Sequence, residues 1–228
     1  MHQLILSSGI FHEFHETSAE LMQIAETLGI ASEVVNHPEV AFERLLSGTI
    51  DVFTVNGLHW PMQGEKYDPF RSEWRYQMSD LGESALTAFE KSGGRLLGVH
   101  TASICFTDSS CWSRLMGGAW HWGQSFHPEP QALEVLPTLT GREMNLSDFR
   151  VVDELYSALS IHQDTEVLMV GSDGLSTQPL VWRRQDGEFR SAYCALGHDT
   201  RAMKTEGLRL VLRRLLMWLL EGGRDENH

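Results

Sequence analysis

Short apolar runs alternate with amphipathic stretches through the first hundred residues. Residues 3–8 form an apolar run that stops at Gly9, which predicts a strand. Thr17-Ser18-Ala19-Glu20 has the form of a capping box, a hydroxyl and a glutamate that close the first turn of a helix from both sides. Leu21, Ile24, Ala25 and Leu28 follow at helical spacing, and Gly29 ends the helix. Residues 31–35 predict a second strand. Pro38 opens a helix whose buried stripe is Phe42, Leu45 and Leu46, and Gly48 ends it. Residues 50–55 are a third strand. The polar, aromatic-rich stretch at 56–78 is too long for an ordinary connection, and such loops are functional or disordered. Asp80 and Glu83 resemble a second capping box, with Leu81, Leu86 and Phe89 on one helical face and Gly93-Gly94 at its end. Residues 96–99 are apolar without alternation, as a strand covered on both faces should be.

Strands alternating with helices imply a parallel sheet with helices on both faces, a doubly wound α/β fold. After Gly118 the pattern changes. Residues 131–136, 149–155, 166–170, 180–184 and 189–196 read as strands joined by short turns, with Asp186-Gly187 as a hairpin signal. A helix from Thr205 to Leu220 is apolar around most of its circumference, so it should be well buried, with its arginines reaching outward. No repeat or linker interrupts the chain. The expectation is a single domain over residues 1–222 with a polar tail at 223–228.

Composition changes this picture only by exclusion. The 228 residues carry 18 basic and 31 acidic side chains, a net charge of −13. That field repels phosphate backbones, so nucleic acid and anionic membranes are not expected partners. Cys105, Cys111 and Cys194 are odd in number and form no C-x-x-C pair, which fits reduced thiols in the cytoplasm. The N-terminal stretch lacks the basic flank and long apolar run of a signal peptide. The most apolar segment, 208–220, contains three arginines and is too short to span a bilayer. A homo-oligomer is left open.

Ligands of open parallel sheets bind beyond the carboxyl ends of the strands. His12 and His15 follow the first strand, and Asn56, His59 and Trp60 follow the third. His100 follows the fourth, and Gly197, His198 and Asp199 follow the last. If these strands run parallel, the histidines converge on one edge. Leu97-Gly98-Val99-His100-Thr101-Ala102 has the strand–turn–helix form of a nucleophile elbow, but His100 stands where a hydrolase carries Ser or Cys. An imidazole there can serve as a general base, an electrophilic donor or a metal ligand. Cys105 reads either as a nucleophile or as a small buried thiol, while Cys111 and Cys194 read as core. In residues 117–128, Trp120, Trp122 and Phe126 offer aromatic faces and His121 and His127 polar tips. This suits a small polar ligand such as a sugar, or else a satellite core beneath the loop. In Val152-Asp153-Glu154-Leu155-Tyr156, strand alternation puts Glu154 and Tyr156 on the face of Val152, and Asp153 and Leu155 on the other. A carboxylate there is either a desolvated general acid or base or an edge-strand charge in water. No G-x-G-x-x-G, G-x-x-x-x-G-K-[ST] or H-E-x-x-H occurs, so no nucleotide cofactor is expected.

Gly93-Gly94-Arg95-Leu96-Leu97-Gly98-Val99-His100-Thr101-Ala102, then Leu115-Met116-Gly117-Gly118 with His127-Pro128, then Val152-Asp153-Glu154-Leu155-Tyr156, Leu180-Val181-Trp182 and Leu196-Gly197-His198 together resemble the trehalose-utilisation (ThuA-like) family. The resemblance is ordered from about residue 90 to the C-terminus and looser before residue 60. It implies a three-layer, flavodoxin-like sandwich similar to class I glutamine amidotransferases, with a mainly parallel central sheet. It implies no glutaminase activity, because His100 occupies the elbow. It also implies a link to breakdown of trehalose and related disaccharides through 3-keto sugars, and a bound divalent metal, zinc first. His12, His100, His127, Glu154 and His198 match the family's polar positions. Met203, where an aromatic is expected, and the tryptophans around His121 depart from the pattern and put trehalose itself in doubt.

Two functional readings result. In the first, the chain is a sugar-directed hydrolase, lyase or isomerase of carbohydrate catabolism. His100, His198 and Glu154 are its catalytic residues and His12, His100 and His198 its metal ligands. Trp60, Trp120, His127 and Tyr156 contact a sugar-like substrate. In the second, the chain is a non-catalytic ligand-binding or regulatory protein on an amidotransferase-like fold that lacks the nucleophile.

Overall fold

The computed structural model describes residues 1–221; the expected tail at 223–228 lies outside the described residues. The chain begins with β1 (His2–Leu6), α1 (Phe14–Glu26), β2 (Ala31–Val35), α2 (Pro38–Leu46) and β3 (Val52–Val55). The long aromatic connection contains a 3₁₀ turn at Glu65–Tyr67 and α3 (Asp68–Trp74). Then come α4 (Asp80–Lys91), β4 (Arg95–Val99), α5 (Ser110–Met116) and β5 (Gly118–Ala119). The second half holds β6 (Gln131–Pro137), α6 (Leu139–Glu143), β7 (Phe149–Asp153), β8 (Ser160–Ile161), β9 (Glu166–Ser172), β10 (Thr177–Asp186) and β11 (Phe189–Cys194). The described chain closes with α7 (Thr200–Met203) and α8 (Glu206–Leu220).

One nine-stranded sheet has the order β2-β1-β3-β4-β11-β10-β9-β6-β7. The first five strands in that order are mutually parallel. From β11 onward every neighbour is antiparallel, starting with the hairpin that pairs Asp186 with Phe189 across the Asp186-Gly187 turn. Four antiparallel steps return β7 to the direction of β11, so both strands end at the same edge of the sheet. Helices α1, α7 and α8 pack together over one face, and α2, α4 and α5 over the other. This is the doubly wound, three-layer sandwich that the alternation of patterns implies. Leu96, Leu97 and Val99 of β4 are fully buried, as a strand covered on both sides requires.

Helix α8 buries Leu208, Val211, Leu212, Leu215, Leu216 and Leu219, while its arginines lie half exposed and Arg209 reaches Glu20 of α1 at 2.6 Å. At the other end of the layer, Gly207 lies against the Phe149 ring, with no room there for a side chain. That close approach lets β7 fold back over α7 and α8. It brings the end of β7 beside the end of β11, although three strands separate them in sheet order.

Three local expectations change. Helix α1 begins at Phe14, three residues before the presumed capping box. Thr17 is buried and its hydroxyl is spent elsewhere: it donates to the Glu13 carbonyl and accepts from Asn56 Nδ2 at 2.9 Å, while Ser18 Oγ accepts from the same amide at 2.8 Å. Helix α4 is capped one residue earlier than expected, by Ser79 Oγ accepting from the Gly82 amide at 3.1 Å. Strand β7 ends at Asp153, so the expected alternation through residues 152–156 fails. Val152 is 54% exposed, whereas Asp153, Glu154, Leu155 and Tyr156 are all buried. The chain turns inward there because Asp153 binds backbone amides of another strand's end rather than water.

Candidate functional site

Beyond the shared carboxyl edge, His12 follows β1, His100 follows β4, His198 follows β11 and Glu154 follows β7. One ligand atom from each of these four residues lies within 4.8 Å of the others. Residues separated by up to 186 positions thus meet because their strands all end at one edge.

The elbow sets the central imidazole. His100 has φ of +49°, a left-handed conformation that costs a non-glycine residue about 1–3 kcal/mol and persists only where surroundings enforce it. The enforcement is visible. Tyr193 donates its hydroxyl to the His100 carbonyl at 2.7 Å, and His100 Nδ1 lies 2.8 Å from the Ala195 carbonyl. The second contact puts a proton on Nδ1 and turns Nε2 into the site. His12 is held in the same sense, with Nδ1 3.4 Å from the Ile10 carbonyl. The two Nε2 atoms then face each other at 3.2 Å.

Glu154 joins the group electrostatically. Its Oε2 is 3.4 Å from His100 Nε2, and its Oε1 is 3.2 Å from His127 Nδ1 and 3.4 Å from His198 Nδ1. Burial by itself would raise this carboxyl, but the three imidazoles outweigh it and hold the group well below the ordinary carboxylate range. Glu154 in turn raises His127 and His198 against their own desolvation. His12 moves the other way. Burial first, then the charges of His100 and His198, lower it to about 3, so it is neutral at any physiological pH. Glu154 Oε2 and His198 Nδ1 are buried without a well-formed hydrogen bond.

Asp153, one residue before Glu154, is fully buried and organises the group without entering it. Its Oδ2 accepts from the Gly197 amide at 2.7 Å, and its Oδ1 from the Glu154 amide at 2.8 Å and the His198 amide at 3.4 Å. One carboxylate therefore ties the residues that carry two of the polar side chains. Gly197 sits at φ +113°, a conformation that admits little but glycine and aims its amide at Asp153. Sequence alternation assigned Asp153 to the opposite face and gave no sign of this role; the adjacent Gly197-His198 was the available signal.

The walls are aromatic. Tyr156 is buried, its ring lies 4.8 Å from that of His100, and burial raises its hydroxyl well above the usual range, so it stays protonated. Trp120 packs edge-on to Tyr156 at 5.4 Å and to His127 at 5.9 Å. Trp60 is buried one layer further out: it meets Tyr67 at 5.3 Å, and Tyr67 leads through Trp122 to Trp120. His15 is exposed on α1, away from the group. Cys105 donates its thiol to the Gly57 carbonyl at 3.0 Å, and burial pushes it up to about 12, so it is an inert core thiol. Cys194 is likewise buried, and Cys111 half buried.

His59 also follows a parallel strand but points elsewhere, stacking on Phe106 at 6.2 Å with Nε2 2.9 Å from Ser8 Oγ. Burial, then the nearby His37, lowers it from 6.5 to about 4. The unfolded chain therefore binds the extra proton throughout that window. Stability is full above 6.5 and is lost as pH falls towards 4, by about 3 kcal/mol from this residue. We expect His59→Asn to flatten the dependence of the urea midpoint on pH between these limits by about one proton. An unchanged slope would refute the assignment.

The family model described as trehalose utilisation matches residues 9–219. A ThuA-like protein from Parabacteroides merdae shares the fold with a TM-score of 0.72 at 16% identity, covering 100% of this chain and 92% of that one. A glutamine amidotransferase from Thermotoga maritima superposes with a TM-score of 0.56 at 10% identity, covering 97% and 99%. A β-galactosidase from Rahnella contains the fold within a longer chain, with a TM-score of 0.63 at 15% identity, covering 96% of this chain and 31% of that one. No curated protein matches. Among the described residues no helix is long and apolar enough to cross a membrane. With nearly its whole length matched by one family model, this chain belongs to the trehalose-utilisation, or ThuA-like, family.

Proposed function

We propose that the chain holds a divalent cation, zinc first, on His12, His100, His198 and Glu154, and acts with it on a sugar or disaccharide in cytoplasmic carbohydrate catabolism. One observation carries the reading. His12 and His100 each turn Nδ1 to a backbone carbonyl, so their two Nε2 atoms face each other at 3.2 Å beside a buried carboxylate oxygen that lacks a hydrogen bond. Two neutral imidazoles oriented in this way would aim both Nε2 lone pairs at one point beside the carboxylate, where a bound cation would offset their repulsion. Three imidazole nitrogens and one carboxylate oxygen form a donor set typical of zinc.

A bound cation would supply Lewis-acid polarisation of a substrate oxygen. The remaining residues divide the other tasks. His127, partly exposed at the mouth of the site and made more basic by Glu154 beside its Nδ1, can act as the proton donor to a leaving or enolising oxygen. Tyr156 offers a hydroxyl that remains a donor. Trp120 offers an apolar face for the C–H side of a sugar ring. These roles suit a hydrolase, lyase or isomerase of keto sugars. Glutamine hydrolysis is not expected: the elbow holds an imidazole, and the thiols of Cys105 and Cys194 are buried and protonated.

The test is elemental analysis of protein purified without chelator or affinity metal, followed by turnover of keto-disaccharides. We expect about one zinc per chain and activity that His100→Ala abolishes. Protein free of metal that cannot be loaded with zinc would overturn the metal assignment. A zinc-loaded protein that binds sugars without consuming them would instead identify a binding protein.

A further inference from the structure

We propose that a cavity at the far end of α8 binds a free α-amino acid with an apolar side chain. The cavity, of about 300 Å³, lies between the end of α6, the last turn of α8 and Arg183 of β10. It is separate from the histidine–glutamate group. Helix α8 starts just after α7 and His198, and its fifteen residues, at about 1.5 Å each, carry its last turn roughly 20 Å away. The inference is therefore independent of the metal and sugar readings.

Charge selects the ligand. Arg183 and Arg214 line the cavity with two guanidiniums, and Glu143 and Glu221 line it with two carboxylates. Among the described residues none of these four pairs with another. Arg183 is held instead by Glu166, outside the cavity, at 2.7 Å from its Nε. The Arg214 side chain has no ion-pair or hydrogen-bond partner among the described residues, and its Nε is buried. A half-buried guanidinium left in this state lacks compensation within the protein, so its counter-charge has to come from the cavity side. A simple anion would meet the two carboxylates, and a simple cation would meet the two guanidiniums. A zwitterion answers both. Its carboxylate lies against the part of Arg214 that lines the cavity, and its ammonium lies towards Glu143 and Glu221.

The remaining wall sets the side chain. Met144 and Met217 are half buried, and Trp218 is held in place by the guanidiniums of Arg183 and Arg190, 5.0 and 5.2 Å from its ring centroid. Methionines adapt to the shape of an apolar partner, so these walls accept a side chain such as that of leucine, isoleucine or methionine. The volume stands at the lower end of small-molecule sites, which suits a single amino acid rather than a peptide.

The experiment is calorimetric titration of the full-length protein with L-leucine, L-isoleucine and L-methionine. Two fragments of leucine serve as comparisons: isocaproate, which lacks the ammonium, and isoamylamine, which lacks the carboxylate. Leucine should bind at least about tenfold more tightly than either fragment, because each loses one charged contact. Arg214→Met should weaken leucine binding at least about tenfold. Arg213→Met, in the same helix but outside the cavity lining, should leave it unchanged. Glu143→Gln should weaken leucine and leave isocaproate unaffected. Binding that persists in His100→Ala places the ligand away from the histidine–glutamate group, and binding lost there overturns the assignment. Far-ultraviolet circular dichroism checks that each variant is folded. Failure of all three amino acids to bind, equal binding of leucine and its fragments, or wild-type affinity in folded Arg214→Met and Glu143→Gln each overturns the proposal.

Discussion

Glu154→Gln is expected to weaken zinc binding by at least about 100-fold, since the substitution removes the one anionic group of the proposed ligand set. Glutamine preserves the shape of the side chain, so the fold should persist. The loss is electrostatic. Glu154 lies within 3.4 Å of His100, His127 and His198, and without its charge the cation would lose its one anionic contact in the group. Chelator competition would measure the affinity. A second readout is independent of metal. In the chelated protein, His127 and His198 are raised chiefly by Glu154, so in the variant both should titrate at lower pH by nuclear magnetic resonance. Wild-type zinc affinity together with unshifted imidazoles would exclude Glu154 from the site.

Asp153→Ala is expected to be the most destabilising single change near the site. The carboxylate is fully buried and accepts from the Gly197 and Glu154 amides, with His198 more distant. Truncation leaves at least two buried amides without acceptors, at about 1–3 kcal/mol each. For a domain of this size the sum corresponds to roughly 10 °C in Tm. Asp153→Asn keeps one oxygen and should lose about half as much. Because Gly197 and Glu154 carry the ends of two strands, zinc affinity should fall with stability in both variants, by about 10- to 100-fold. Differential scanning calorimetry with and without zinc separates the effects. A variant with unchanged Tm but weakened zinc binding would mean that Asp153 acts on the cation directly rather than through the backbone.

The strand and helix order was legible because periodicity reports burial, and burial in a doubly wound sheet follows the chain locally. The apolar run at residues 96–99 signalled a strand covered on both faces, and β4 is one. Helix starts were less legible. Thr17 has the sequence of a cap, but a buried partner, Asn56, claims its hydroxyl, and competition between distant hydrogen-bond partners leaves no local trace. Residues 152–156 failed for a related reason. Alternation assumes that both faces of a strand continue, whereas amides from the end of β11 capture Asp153 and end β7 early.

The candidate site divides along the same line. By itself, the sequence determined which side chains follow which strands: His12, His100 and His198 each stand just beyond a strand of the parallel half, and that placement depends only on local pattern. It also determined that no thiol occupies the elbow. Only the tertiary structure decided that Glu154 meets them, because β7 reaches the common edge through four antiparallel steps and a fold-back over α7 and α8. It likewise decided that His59 and His15 stay apart, and that Trp120 has a cavity beside it. Local pattern encodes the strand each residue follows. Which strand ends become neighbours depends on how the whole sheet packs, and a buried carboxylate among imidazoles exists only once that packing is complete.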